Sequence, residues 1–226
     1  NKEYDEATYS TLFEDIPANN DSFECEGTKA TTYVFQIRSK DAGGESQWSD
    51  ELVLVTNYGI GDYGPAGGII FYDDVDDGYD DLFGKRYLEV IEYGTGLWEN
   101  IEWGAYDTYI DEANYSGLGK GESNTTAIVS ALNDNGESGK AAQLCDSLVI
   151  TRDGVDYGDW FLPSEQEMVV MFSAVGNMLS YYTGEHWSST QTQYNSTEAV
   201  TVSHPGGAQS SEEKNENFSV RAVRSF

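Results

Sequence analysis

Apolar and polar residues alternate along several short segments of the chain, which is the pattern of half-buried β-strands. The clearest case runs from residue 32 to 38, where positions 33, 35 and 37 are apolar. An Asp-Ala-Gly-Gly turn at 41–44 separates it from a second predicted strand at 52–56. The same pattern predicts further strands at 69–72, 87–91, 187–189, 199–202 and 218–226. The polar residues between Trp98 and Trp103 predict a turn.

Two other segments place apolar residues at helical spacing. The first covers 124–133, and Ser123 or Asn124 is expected to be its N-cap. The second covers 141–148 and places Cys145 on its apolar face. A thiol buried in this way should have a raised pKa and low reactivity.

A third helix is predicted to begin after Ser164, because Glu167 stands three residues later, at the capping-box position. Strands and helices follow one another irregularly, which predicts an α+β fold. The change of pattern near 56–59 divides the chain into a β domain at 1–57 and an α+β domain at 58–226.

The first domain resembles the C-terminal part of a fibronectin type III domain. That family carries a Tyr-x-Phe-x-Ile-Arg strand, an Asp-Ala-Gly turn, a Trp-Ser pair and a final strand, as residues 33–56 do here. Residues 1–57 are too few for a seven-stranded sandwich of about 100 residues. We therefore expect an incomplete sandwich whose other strands come from upstream sequence or from a strand-donating neighbour subunit, because folded proteins avoid open strand edges.

The second domain carries a series of short motifs in a fixed order. These are GPAGGIIFY at 64–72, YLE at 87–89, GKGESNT at 119–125, AAQLC at 141–145, DWFLPS at 159–164, WSST at 187–190 and VRAVRSF at 220–226. Together they resemble the C-terminal domain of the Legionella collagen-like adhesin and the major paralogous domain of Fibrobacter surface proteins.

This resemblance implies a C-type lectin-like fold, with short mixed antiparallel sheets and two to three helices. It also implies an extracellular, cell-surface or virion-surface location. The adhesin binds sulfated polysaccharides, but a strongly acidic chain should repel them. The resemblance extends to formylglycine-generating enzymes, which use a cysteine pair, whereas Cys145 is the single cysteine of the 58–226 segment.

The chain has 40 acidic and 12 basic residues, a formal net charge of −28. Such a charge disfavours nucleic acid and anionic membranes as partners. No apolar run approaches the roughly 20 residues that span a bilayer, so we expect no membrane insertion. A highly solvated surface and binding of a divalent cation both remain open as reasons for this charge.

The densest group of carboxylates lies at 73–81. Its candidate Ca²⁺ ligands are Asp73, Asp74, Asp76, Asp77 and Asp80. The segment does not fit an EF-hand, because Val75 would stand at position three and Gly84 at position twelve. A solvated acidic hairpin is the alternative to a weak calcium site.

Catalytic chemistry has little support in the sequence, and we expect no enzyme activity. His186 and His204 are the two histidines, and neither stands in a metal-binding pattern. Ser188 and Ser189 lie close to His186 in the sequence, separated from it by Trp187, but a catalytic triad needs groups from separate segments. Arg221 and Arg224 are expected to pair with carboxylates, and contact with a ligand is the alternative.

The stretch 194–217 is rich in Ser, Asn, Gln and Glu, which is typical of adaptable recognition loops and also of tolerant surface loops. The candidate ligand-binding residues are Tyr181, Tyr182, Tyr194, Asn195, Gln209, Asn215 and Asn217. The sequence thus predicts a module that binds a glycan or a protein. The alternative is a structural subunit of a surface filament, sheath or virion appendage, with a homo-oligomer or strand exchange between neighbours.

Overall fold

The computed structural model describes most of the chain from residue 32 onward. The described residues are 32–36, 38, 40–41, 43–47, 49, 52–55, 57–74, 82, 85–91, 94, 96–179 and 183–226. Two compact units are present, Asn1–Asn57 and Tyr58–Phe226. The fold is α+β, as the sequence predicts, with three α-helices and mostly antiparallel sheets in the described residues.

The first unit contains two strand pairs in its described residues. Strand β1 (Thr32–Phe35) pairs antiparallel with β4 (Leu52–Val55), which confirms the two predicted strands at slightly shorter lengths. Strands β2 (Lys40–Asp41) and β3 (Gly44–Glu45) form a small hairpin at the predicted turn. Cys25, which with Cys145 makes up the chain's two cysteines, lies outside the described residues, as do all of residues 1–31.

The second unit is built from short strands and three α-helices. Its strands are β5 (Ile69–Asp73), β6 (Tyr87–Val90), β7 (Leu97–Glu102), β8 (Ile150–Arg152), β9 (Val155–Tyr157), β10 (Trp160–Phe161), β11 (Gly184–Gln191), β12 (Glu198–His204), β13 (Gln209–Glu213), β14 (Asn217–Arg221) and β15 (Val223–Ser225). Its helices are α1 (Gly121–Asp134), α2 (Ala141–Asp146) and α3 (Glu165–Val175), with a 3-10 helix at Asp111–Ala113. No helix in the described ranges has the length and apolarity needed to cross a bilayer.

Two sheets organise this unit. One has four strands in the order β10-β15-β6-β5, all antiparallel. The other has five strands in the order β13-β12-β11-β14-β7, in which β11 and β14 run parallel. Strands β8 and β9 form a separate hairpin.

The closing segment of the sequence belongs to both sheets. Strand β14 covers the first part of the strand predicted at 218–226 and lies beside β11, which carries Trp187. Strand β15, however, pairs with β6 and β10 in the other sheet. Ala222 separates the two strands, and its N–H donates to the Gly96 carbonyl at 2.9 Å. The predicted single strand is therefore two strands that link the sheets.

Apolar side chains fill two clusters. One includes Trp103, Leu132, Leu162, Trp187 and Val220, and the other includes Ile69, Leu88, Met168, Met171 and Val202. Complete burial of such a side chain stabilises the fold by about 1.5–3 kcal/mol. Cys145 belongs to the first cluster as a free thiol, and burial raises its pKa well above the ordinary value, as predicted.

Helix α1 begins earlier than predicted. Its N-cap is Lys120, which makes no side-chain cap bond, so the prediction of Ser123 or Asn124 as the cap is wrong. Asn124 is fully buried within the helix and donates from Nδ2 to the Tyr115 carbonyl at 2.7 Å. Gly121 permits the early start, because a Cβ there would lie 2.7 Å from the Phe161 ring.

Helix α3 begins as predicted. The Ser164 hydroxyl accepts from the Glu167 N–H at 3.3 Å, and the Glu167 carboxylate accepts from the Ser164 N–H at 2.8 Å. The predicted turn between Trp98 and Trp103 is wrong, because residues 97–102 form β7. This strand is at the edge of its sheet, and its exposed Glu99 and Asn100 carry the polarity that suggests a turn.

Candidate functional site

An open groove of about 610 Å³ lies on the surface of the second unit. We call it the Thr190 groove. Its lining comes from the loop 114–117 with Lys120, from Glu165 at the start of α3, from residues 190–193, and from Val200 on β12. Three distant parts of the sequence, 114–120, 165 and 190–200, thus meet at one surface.

Thr190 connects the walls of the groove. Its hydroxyl accepts a hydrogen bond from the Glu165 N–H at 3.0 Å and donates one to the Tyr115 carbonyl at 3.3 Å. One side chain on β11 therefore holds both the first turn of α3 and the 114–117 loop. Thr190 is 3% exposed, so water competes little for these bonds.

The loop is also attached directly to α3. The Gln166 N–H donates to the Ser116 carbonyl at 2.9 Å, and the Ser164 hydroxyl donates to the Gly117 carbonyl at 2.7 Å. The bond from Asn124 to the Tyr115 carbonyl adds a support from α1. With its carbonyls held from three elements, the loop keeps its shape without a ligand, which lowers the entropy cost of binding.

The groove presents hydrogen-bonding groups and an aromatic ring. Tyr115 is 53% exposed, and Asn114 donates from Nδ2 to the Tyr109 hydroxyl at 3.1 Å. Burial raises the pKa of the Glu165 carboxyl above its ordinary value. The lining thus combines hydroxyl, amide, carboxylate and amine side chains.

Three of the predicted ligand residues, Tyr194, Asn195 and Asn215, lie near one another in the folded chain. Tyr194 directly follows the groove residue Gln193 and is 87% exposed. The Asn195 Oδ1 accepts from the N–H and the hydroxyl of Thr197, both at 2.9 Å, so this oxygen already has partners. Asn215 follows Lys214, whose N–H donates to the Thr197 carbonyl at 2.8 Å, which places Asn215 at the same end of the β12–β13 hairpin.

Two further candidates, Gln209 and Asn217, lie elsewhere. Gln209 pairs with Val202, at the opposite end of the β12–β13 ladder from Glu198 and Glu213. Asn217 is exposed on β14 and pairs with Glu102. Tyr181 and Tyr182 lie outside the described residues.

The acidic segment is described only at its beginning. Both carboxylate oxygens of Asp73 accept from Arg86, at 2.8 and 2.9 Å. Asp74 is 5% exposed and accepts from the Leu82 N–H at 3.2 Å. Asp76, Asp77 and Asp80 lie outside the described residues, and the described part of the chain contains no group of three potential metal ligands. Calcium binding here stays a prediction.

Both histidines contact backbone carbonyls. The His186 Nδ1 lies 3.0 Å from the Gly184 carbonyl oxygen, and the His204 Nε2 lies 2.9 Å from that of Gly176. Burial, with a smaller effect of the Arg221 charge, lowers the pKa of His186 to about 4. A neutral, fully buried imidazole in this setting acts as a core side chain.

The two arginines of the closing segment occupy buried positions. Arg224 pairs with Glu89 at 2.8 Å and with Asp159, which confirms the predicted carboxylate pairing. Arg221 donates from Nη1 to the Ile91 carbonyl at 2.7 Å. Neither side chain lines the Thr190 groove.

No protein-family model matches the chain, and the curated proteins compared with it gave no match. The site is therefore defined by its residues alone. Sequence reasoning missed Tyr115, Glu165 and Thr190. A usable signal was the tyrosine-rich polar segment that contains Tyr106, Tyr109 and Tyr115, since exposed aromatic rings among polar residues are typical of recognition surfaces.

Proposed function

We propose that the second unit is a C-type lectin-like recognition module displayed on a cell or virion surface, preceded by a fibronectin type III-like unit. In this proposal it binds a glycan or a protein through the Thr190 groove and the adjoining turn at 192–195, which carries Tyr194 and is called the Tyr194 turn. Support for the fold comes from the ordered motifs, from the two small sheets, and from the closing strands that link them.

The observation that carries the functional proposal is the fixed shape of the groove. The Thr190 hydroxyl connects α3 to the 114–117 loop, and further hydrogen bonds hold that loop from α1 and α3. An open surface with rigid walls loses little conformational entropy when a ligand binds. This arrangement is typical of a binding site that is formed before its ligand arrives.

The charge of the chain narrows the class of ligand. A net charge of −28 repels polyanions, so a neutral glycan or a protein with a neutral or basic surface fits better. The groove offers the Tyr115 ring for stacking and the side-chain amides of Asn114 and Gln193 for hydrogen bonds. These are the groups that sugar rings and peptide backbones require.

The test is a glycan array and a protein array probed with the full chain, followed by affinity measurements on variants. Tyr115→Ala should weaken binding about tenfold or more, because exposed aromatic residues dominate binding energy. Tyr106→Ala is the matched control, since Tyr106 is 43% exposed but does not line the groove. The proposal fails if neither array gives a ligand, or if Tyr115→Ala binds as tightly as the control.

A further inference from the structure

Lys214 is a fully buried lysine in the turn after β13. Its Nζ donates to Gln191 Oε1 at 2.7 Å and to the Thr108 carbonyl at 2.8 Å. The amine also lies 4.6 Å from the centre of the Trp103 ring. Lys214 itself does not line the Thr190 groove, whereas its partner Gln191 belongs to the 190–193 segment that does.

Burial favours the neutral amine of Lys214, whereas its three oxygen acceptors, which include the Ala105 carbonyl at 3.5 Å, and the Trp103 ring suit the ammonium. Within the described part of the chain, no carboxylate forms an ion pair with Lys214. Burial lowers its pKa to about 7, although the more distant Glu137 charge acts in the opposite direction. A substantial share of the side chain is therefore unprotonated near neutral pH, and an unprotonated amine is a nucleophile.

The side-chain amide of Gln191 is the electrophile that lies next to this amine. Gln191 is 1% exposed, and its Oε1 accepts from the Ile110 N–H at 3.1 Å as well as from Lys214. A backbone N–H on this oxygen stabilises negative charge that develops there when the carbonyl carbon is attacked. The Nε2 group has no hydrogen-bond partner among the described residues, so no contact holds the leaving group in place.

We propose that Lys214 and Gln191 form an intramolecular isopeptide bond in the folded protein. The Lys214 Nζ attacks the Gln191 side-chain carbonyl carbon, and a new C–N bond forms. A proton passes from Nζ to Nε2, the bond between the carbonyl carbon and Nε2 breaks, and one ammonia leaves. The reaction needs no oxidant, reductant or other reactant.

Two physical effects favour this reaction over the ordinary stability of an amide. The fold holds the two groups in contact, which replaces a bimolecular encounter by an intramolecular one. Burial also limits the access of water, which would otherwise compete with the amine for the carbonyl carbon. The product would be a covalent ring from 191 to 214 that encloses the Tyr194 turn and the β12–β13 hairpin.

The test is intact-mass spectrometry of the denatured full chain after the folded protein has been held at mildly alkaline pH. The expected mass is lower than that of the sequence by one ammonia. Digestion after glutamate should release a branched peptide that joins residues 186–198 to residues 214–216. This second measurement is needed because Asn135-Gly136 can also lose ammonia, by forming a succinimide, but that product contains no branched peptide.

Substitutions at Lys214 and Gln191 test whether these two side chains form the bond. Lys214→Arg keeps a cation but lacks the amine, and Gln191→Met keeps the approximate volume but lacks the carbonyl carbon; neither variant should yield the branched peptide. The wild-type measurement stands even if a variant fails to fold. A wild-type protein that keeps its full mass, or that loses ammonia without the branched peptide, overturns the proposal and leaves Lys214 as a hydrogen-bonded buried amine.

Discussion

At the scale of single residues, the buried pair of Glu89 and Arg224 has the largest expected effect on stability. The Glu89 side chain is fully buried, and burial raises its pKa while Arg224 opposes that rise. Arg224→Met should destabilise the fold by about 3–5 kcal/mol, because the carboxylate would stay buried without its cation. Urea unfolding measures this loss.

A matched variant separates this effect from that of an exposed ion pair. Asp159 also pairs with Arg224, but its side chain is 44% exposed. Asp159→Asn should therefore change the free energy of unfolding by about 1 kcal/mol or less. Equal losses in the two variants would contradict the dominant role of Glu89.

Two buried groups should affect the pH dependence of stability in opposite directions. The pKa of His186 is lowered to about 4, so between pH 6.5 and 4 the unfolded chain binds the extra proton and acid favours unfolding. Burial raises the pKa of Glu167 from 4.5 to about 7, so between pH 7 and 4.5 the folded protein binds the extra proton and acid favours folding. In the wild type the two effects largely cancel.

Glu167→Gln removes the second effect and leaves the first. On acidification from about pH 7 to about pH 4.5, the variant should lose about 3 kcal/mol more stability than the wild type, as a shift of about two and a half units in one pKa requires. Urea unfolding at both pH values measures the difference. Glu216→Gln, in an exposed position, controls for the removal of one negative charge. Parallel pH profiles for wild type and Glu167→Gln would show that Glu167 is not protonated in the fold.

At the scale of elements, the first turn of α3 connects local structure to the groove. Ser164→Ala removes the N-cap bond and the bond to the Gly117 carbonyl. It should cost about 1–2 kcal/mol in thermal or urea unfolding, at the upper part of the range for an N-cap. Ser173→Ala, exposed within the same helix, should be neutral or slightly stabilising. Similar effects of the two substitutions would contradict the capping role.

The elements that could be predicted from sequence are those set by local rules. The α3 start follows from Ser164 and Glu167 alone, and the apolar strands follow from alternation. Strand β13 was not predicted, because every residue of its Gln-Ser-Ser-Glu-Glu sequence is polar, as an exposed edge strand permits. Asn124 looked like a helix cap, but the surrounding fold buries it, and local propensity cannot reveal that contact.

For the candidate site as well, the sequence could predict some residues but not others. Tyr194 could be identified because its polar, Ser- and Asn-rich surroundings indicate an exposed turn. Thr190 and Gln191 could not, since a buried polar side chain acquires its role from partners far away in the chain, here Tyr115 and Lys214. Tertiary contacts alone define these positions.

At the scale of the whole molecule, the net charge of −28 should oppose the compact state through mutual repulsion. Raising sodium chloride from about 0.01 M to about 1 M shortens the screening length from about 30 Å to about 3 Å. The thermal unfolding midpoint should therefore rise by several degrees. Calcium chloride at matched ionic strength tests the acidic segment separately, because a larger rise than sodium chloride gives would indicate specific binding. A midpoint that falls with sodium chloride would contradict the repulsion argument.

The position of β14 and β15 has a consequence for the order of events during synthesis. Strand β14 lies between β11 and β7, and β15 lies between β10 and β6, so each is an inner strand of its sheet. A ribosome that has made the chain only as far as residue 216 has produced every other strand of both sheets but has left the middle of each empty. Neither sheet can therefore be completed until residues 217–225 are available, and this single segment closes both.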